Sequence, residues 1–158
     1  MNAIAPLRPS ELHVCRVRLP AGPIAAPKAR SQVRAIINAW DVPVDPGIAV
    51  LLTSELVTNA LRHEAGETVT RAITCSFAQL RIDVHDTSRL LPVLVEAPAD
   101  AEAGRGLMLV ATLSDQWGAY STPAGKAVYF TLGFQDDLDT GDGRRAPDGG
   151  RYIISGDL

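Results

Sequence analysis

Apolar and polar residues alternate from Leu12 to Leu19, with Leu12, Val14, Arg16 and Arg18 on one side and His13, Cys15, Val17 and Leu19 on the other. This two-residue period predicts a first strand. From Pro27 the apolar residues Ala29, Val33, Ile36, Ile37 and Trp40 recur at helical spacing with Arg30 and Arg34 opposite, which predicts an amphipathic helix with a proline in its first turn. Pro43 and Pro46 break the chain before a second helix, from about Pro46 to His63, whose stripe is Ile48, Leu52, Leu56 and Ala60, and Gly66 closes it. Thr68 to Phe77 is rich in β-branched residues and reads as a strand, with Ala78-Gln79 as its turn. Leu80, Ile82 and Val84 then alternate with Arg81, Asp83 and His85 in a half-buried strand ending at Asp86. Thr87 to Ala103 carries prolines, small residues and acids without a period, the pattern of a long, lid-like loop. Leu107, Val110, Ala111 and Leu113 predict a short helix, and Gln116 to Tyr120 another strand. Thr122-Pro123-Ala124-Gly125 links it to a last strand in which Val128, Phe130 and Leu132 alternate with Tyr129 and Thr131.

This order of elements predicts an α+β fold, a two-layer sandwich with a mixed, mostly antiparallel sheet and its helices on one face. A chain of 158 residues, 46% of them hydrophobic, can build one such domain but not two. We place the domain at residues 12–134, after an extension of residues 1–11 and before a tail of residues 135–158. The tail is rich in Asp, Gly and Arg and poor in large apolar residues, so disorder is expected there.

Charge narrows the function. The tail carries six acidic and three basic side chains and the rest of the chain twelve of each, so the net −3 resides in the tail. A neutral domain without basic clusters argues against nucleic acid as a partner. Cys15 and Cys75 are too few for a disulfide framework or a Cys-x-x-Cys metal knuckle, and both are expected as buried reduced thiols. Residues 1–9 lack the pattern of a signal peptide and no apolar run is long enough to span a membrane, so a cytoplasmic protein is the expectation.

Candidate chemistry concentrates in Thr53-Ser54-Glu55-Leu56-Val57-Thr58-Asn59-Ala60 and in Gly104-Arg105-Gly106-Leu107. The first run puts a carboxylate and a carboxamide four residues apart, hence side by side on a helix. The second puts glycines at a helix start, where bare backbone N–H groups and the positive helix end suit phosphate. Taken singly, Glu55 and Asn59 suit a solvated helix face, Asp86 a turn cap and the glycines an ordinary loop-to-helix connection. A P-loop is excluded, because Gly125-Lys126 lies between two strands and the chain has only two lysines. A nucleoside triphosphate would then need its charge met by Mg²⁺, backbone amides and arginine. His63 is accounted for by the dipole at a helix C-terminus, and His63-Glu64 lacks a second histidine at metal-ligand spacing. Trp40 and Trp117 read as packing residues.

Ser54-Glu55-Leu56-Val57-Thr58-Asn59-Ala60, then Asp86, then Gly104-Arg105-Gly106-Leu107, resembles the ATP-binding domain of the anti-sigma-factor serine/threonine kinases. These belong to the superfamily of gyrase, Hsp90, histidine kinases and MutL, with its Bergerat ATP-binding fold. The resemblance runs from about Leu19 to Leu132 and includes Asp115-Gln116-Trp117-Gly118 and the closing Gly125-Lys126 strand. It implies Glu55 as general base, Asn59 as Mg²⁺ ligand and Asp86 as acceptor of the adenine amino hydrogen bond. Gly104, Arg105, Gly106 and Leu107 would form the flexible turn that approaches the phosphates. The superfamily usually has glycine two residues after the adenine aspartate, where this chain has Ser88, a small residue that permits close approach. The implied activity is ATP- and Mg²⁺-dependent phosphorylation of an anti-anti-sigma (STAS) partner, together with sequestration of a sigma factor, and a homodimer is an expectation of the resemblance alone. The alternative is a docking module of the same fold that holds nucleotide, or none, without transferring phosphate. A sensor histidine kinase would need a phosphoacceptor helix ahead of this domain, for which fewer than fifteen residues precede the first strand.

Overall fold

The computed structural model describes residues 12–63, 68–89 and 105–134. Five strands and three helices follow in the order β1 (His13–Pro20), α1 (Ala25–Trp40), α2 (Pro46–His63), β2 (Thr68–Cys75), β3 (Gln79–Asp86), α3 (Arg105–Leu113), β4 (Gln116–Thr122) and β5 (Gly125–Gly133). The sheet order is β1-β2-β3-β5-β4, and each described strand pair is antiparallel. This is the expected two-layer α+β sandwich. The predicted loop is described only at residues 87–89; Gly66, Gly104, the extension 1–11 and the tail 135–158 lie outside the described residues.

Local chemistry sets the helix ends. Asp45 Oδ1 accepts the Gly47 and Ile48 N–H groups at 2.8 and 3.3 Å and so caps α2, with Pro46 in the first helical position, where no N–H is required. α1 ends at Asp41, in the left-handed region at φ 52°, and the Val42 N–H reaches back to the Ile37 carbonyl at 3.0 Å. Arg30 of α1 donates to Ser54 Oγ of α2 at 2.9 Å, fixing α2 against α1 one residue before Glu55.

α2 is the central helix, packed on α1, on α3 and on β2, β3 and β5. Its stripe Leu52, Leu56 and Ala60 meets Val33, Ile37 and Trp40 of α1 and the strand residues Ile73, Leu80, Ile82, Val84, Val128 and Phe130 in one core. The strand period of two sends alternate residues of β3 to opposite faces. Leu80, Ile82, Val84 and Asp86 face the helices. Arg81, Asp83 and His85 face away, where Arg81 holds Asp83 through Nε and Nη2, Tyr120 Oη donates to Asp83 at 3.0 Å, and Arg81 lies 3.9 Å over the Tyr129 ring. Trp40 and Trp117 are buried in the core, as expected.

Among the boundaries that differ from the sequence reading, three bear on the turns and the candidate site. β2 stops at Cys75, because Ser76 Oγ accepts the Ala78 and Gln79 N–H groups and starts the turn there, leaving Phe77 62% exposed and Gln79 in β3. β4 runs on to Thr122, so Pro123 and Ala124 alone make the hairpin turn. α3 begins at Arg105, which puts Gly106 inside a helical turn instead of in a flexible loop before it.

Candidate functional site

α2 carries Glu55 and Asn59 one turn apart on the side that meets α3. With Thr58, Arg62, Gly106 and Leu107 they line a cavity of about 20 Å³. Gly106 allows the close approach: a Cβ at this position would overlap Glu55 Oε2 and stand 3.3 Å from Glu55 Cδ, so the carboxylate would have to shift. The Glu55 carboxylate is thereby seated against the first turn of α3. That turn contains no acidic residue of its own, so Glu55 supplies the negative charge that a helix N-terminus favours.

Asn59 Nδ2 is buried and has no hydrogen-bond partner in the structure. A buried amide without a partner is costly, and such an atom marks a place where a ligand or water completes the set. The orphaned Nδ2 is a donor, so what completes it is an acceptor such as water or a phosphate oxygen, while the amide Oδ1 is the atom that suits a hard cation. Among the described residues no three His, Cys, Asp or Glu side chains cluster into a metal cage.

The third box stands apart. Asp86 ends β3 on the helix-facing side, buried, and its Oδ1 accepts the Ser88 N–H at 2.9 Å in a tight turn. Its Oδ2 lies 3.3 Å from Lys126 Nζ, with both side chains 1% exposed. Register explains the pairing, since Lys126 is the cross-strand partner of Asp86 in β5. The two strands also touch through backbone: a Cβ on Gly125 would overlap the Asp86 carbonyl oxygen and stand 2.6 Å from Thr87 Cα.

The structure thus brings together Glu55, Asn59, Gly106 and Leu107, while Asp86 and Ser88 form a separate end that does not line the same cavity. Arg105 opens α3. Thr58, Arg62 and Lys126 were missed by the sequence reading. Thr58 and Arg62 carried a signal, three residues after Glu55 and Asn59 respectively on one helical face. Lys126 was visible only within the closing Gly125-Lys126 strand, and its pairing with Asp86 was not, because that partner lies forty positions earlier. A larger hollow of about 300 Å³ lies on the far sheet face between Arg16, Arg18, Thr70, His85 and Thr122 and is also lined by Asp86. It includes neither Glu55 nor Asn59, and we give the smaller cavity precedence on its chemistry. Burial lowers the His85 pKa in that hollow, with Asp83 opposing and Arg16 and Arg81 adding to the shift.

A carboxylate and a carboxamide thus lie on the central helix of an antiparallel α+β sandwich, beside the start of a helix from the far half of the chain. Residues 19–132 match the model of the histidine kinase-like ATPase domain, which is more than half of the chain, and the chain belongs to that family. Family membership implies a nucleotide-binding module. Among curated proteins, none matches the chain. No helix of the described residues is long and apolar enough to cross a membrane.

Proposed function

We propose that the chain is a cytoplasmic protein serine/threonine kinase of the anti-sigma regulatory type, which uses Mg²⁺-ATP to phosphorylate a STAS partner and sequesters a sigma factor, as a homodimer. The observation that carries this reading is the Glu55 carboxylate seated against the first turn of α3, one helical turn from the orphaned Asn59 amide. Glu55 accepts the proton of a partner serine hydroxyl as that oxygen attacks the γ-phosphorus and ADP departs. When bound, Mg²⁺ neutralises phosphate charge, and Asn59 is the residue that would hold it. Gly106 brings the α3 backbone to the carboxylate, and Arg62, lining the cavity, adds a cation for phosphate oxygens.

Incubation with labelled ATP, Mg²⁺ and candidate STAS proteins tests the reading. Transfer to serine that falls about a hundredfold or more in Glu55→Ala is the expected result. A second reading, a docking module without transfer, draws on two observations. The cavity of about 20 Å³ is far smaller than an ordinary ligand pocket, and both Asp86 oxygens already face partners in Ser88 and Lys126. Partner binding with no transfer, and no heat of ATP binding by calorimetry on wild type, Asn59→Ala or Asp86→Ala, would establish the module instead.

A further inference from the structure

We propose that the hollow on the sheet face turned away from the helices binds a phosphate monoester dianion between Arg16 and Arg18; the site does not rest on the nucleotide reading above. Strand register builds it. Arg18 of β1 stands opposite Thr70 of β2, which stands opposite His85 of β3, and in the adjacent row Arg16 stands opposite Ala72 and Ala72 opposite Asp83. Long side chains on β1 and β3 therefore flank short ones on β2, and the trough between them is the hollow of about 300 Å³. That volume is at the lower end of ordinary ligand pockets, enough for a phosphorylated side chain.

Charge in the hollow is positive. Arg16 and Arg18 are exposed, lie on one face of β1 about 7 Å apart along the strand, and form no ion pair among the described residues. The nearby carboxylates are engaged elsewhere: Arg81 and Tyr120 hold Asp83, while Asp86 has one oxygen on the Ser88 amide and the other 3.3 Å from Lys126 Nζ. Neutral donors surround the two guanidinium groups. Thr68 and Thr70 line the hollow from β2, and Thr122 Oγ1 accepts the Gly125 N–H at 3.0 Å, which leaves its own O–H to give. Burial, with Arg16 and Arg81 adding to it, lowers the His85 pKa, and a neutral imidazole retains one N–H. Two guanidinium forks among hydroxyls match a tetrahedral dianion, since each fork takes two oxygens. A carboxylate, with one charge and two oxygens, would satisfy one fork and leave the other.

Calorimetric titration of the full chain with inorganic phosphate, with N-acetyl-O-phosphoserine amide and with its unphosphorylated form tests the assignment, at about 0.15 M chloride so that diffuse surface attraction is screened. The expected result is binding of both phosphate compounds and not of the unphosphorylated one. Tighter binding of the phosphoserine compound makes a phosphorylated side chain the natural ligand, and equal binding makes it free phosphate. In Arg16→Gln/Arg18→Gln both affinities should fall about tenfold or more, as for loss of charged hydrogen bonds, with thermal unfolding unchanged because the two side chains are exposed. Asn59→Ala, which alters the cavity on the helix side, should bind phosphate as the wild type does. No binding by the wild type, unchanged affinity in the arginine variant, or loss confined to Asn59→Ala would each overturn the site. Because no nucleotide is used, failure here leaves the nucleotide reading intact, and failure of ATP to bind leaves this site intact.

Discussion

Lys126 and Arg71 are buried cations on the same face of the sheet, in adjacent cross-strand rows, and they are treated differently. Lys126 faces the Asp86 carboxylate at 3.3 Å. Arg71 sits opposite Val17 and Val84 and is 0% exposed, and among the described residues its three guanidinium nitrogens lack a partner at hydrogen-bond geometry, with the Cys15 side chain as an electrostatic neighbour. Burial lowers its pKa, offset in part by Cys15 across the β1–β2 pair. An uncompensated buried charge lowers stability, whereas a compensated one is near neutral. The contrast separates a buried charge that has a counter-charge from one that has none among the described residues.

Three measurements break or sharpen that contrast. The largest effect is expected for Asp86→Ala, which leaves Lys126 buried without a counter-charge and should cost about 3–5 kcal/mol in urea unfolding. Adding Lys126→Met to that variant should restore most of the loss. Equal instability of the single and double variants would show that the two charges are not coupled. Next, Arg71→Met should gain about 1–3 kcal/mol, because an unpaired charge is replaced by an apolar side chain of similar length. A net loss there would mean that Arg71 has a counter-charge after all. The smallest effect concerns neutral groups. Burial pushes the Cys75 thiol from 9.0 to about 11, and burial with the Asp83 carboxylate pushes the Tyr120 phenol from 10.0 to about 12. Both hold their protons in the folded state at pH values where the unfolded chain releases them. Stability should therefore be fully present below about pH 9 and decline between about pH 9 and 12, and Cys75→Ala should remove the lower part of that decline. A flat profile across that window would show that burial at these two positions does not govern their ionisation.

Much of the fold was legible because its cues are local. Pro43, Pro46 and the stripe Ile48, Leu52, Leu56 and Ala60 predict a helix from about Pro46 to His63, which α2 matches. β3 ends at Asp86 as its alternation requires. The boundaries that moved depend on atoms outside the pattern. Ser76 and Phe77 have strand-like residue types, yet the Ser76 hydroxyl gathers two amides and turns the chain. Gly106 reads as loop until the Glu55 carboxylate is seen to occupy the space its side chain would take. The same division runs through the site. Glu55 and Asn59 were visible as an i, i+4 pair, whereas Lys126 acquires meaning only through the β3–β5 register, and Arg71 only through its depth.

Gly125 carries a consequence beyond its turn. Since its bare α-carbon abuts the carbonyl of Asp86 and the α-carbon of Thr87, the end of β3 and the start of β5 are locked main chain to main chain. Even a methyl group at position 125 would pry the strands apart and carry the carboxylate away from its lysine. The acid and the base at this end thus share one rigid mount, and adjusting one without disturbing the other is a freedom the sheet denies them.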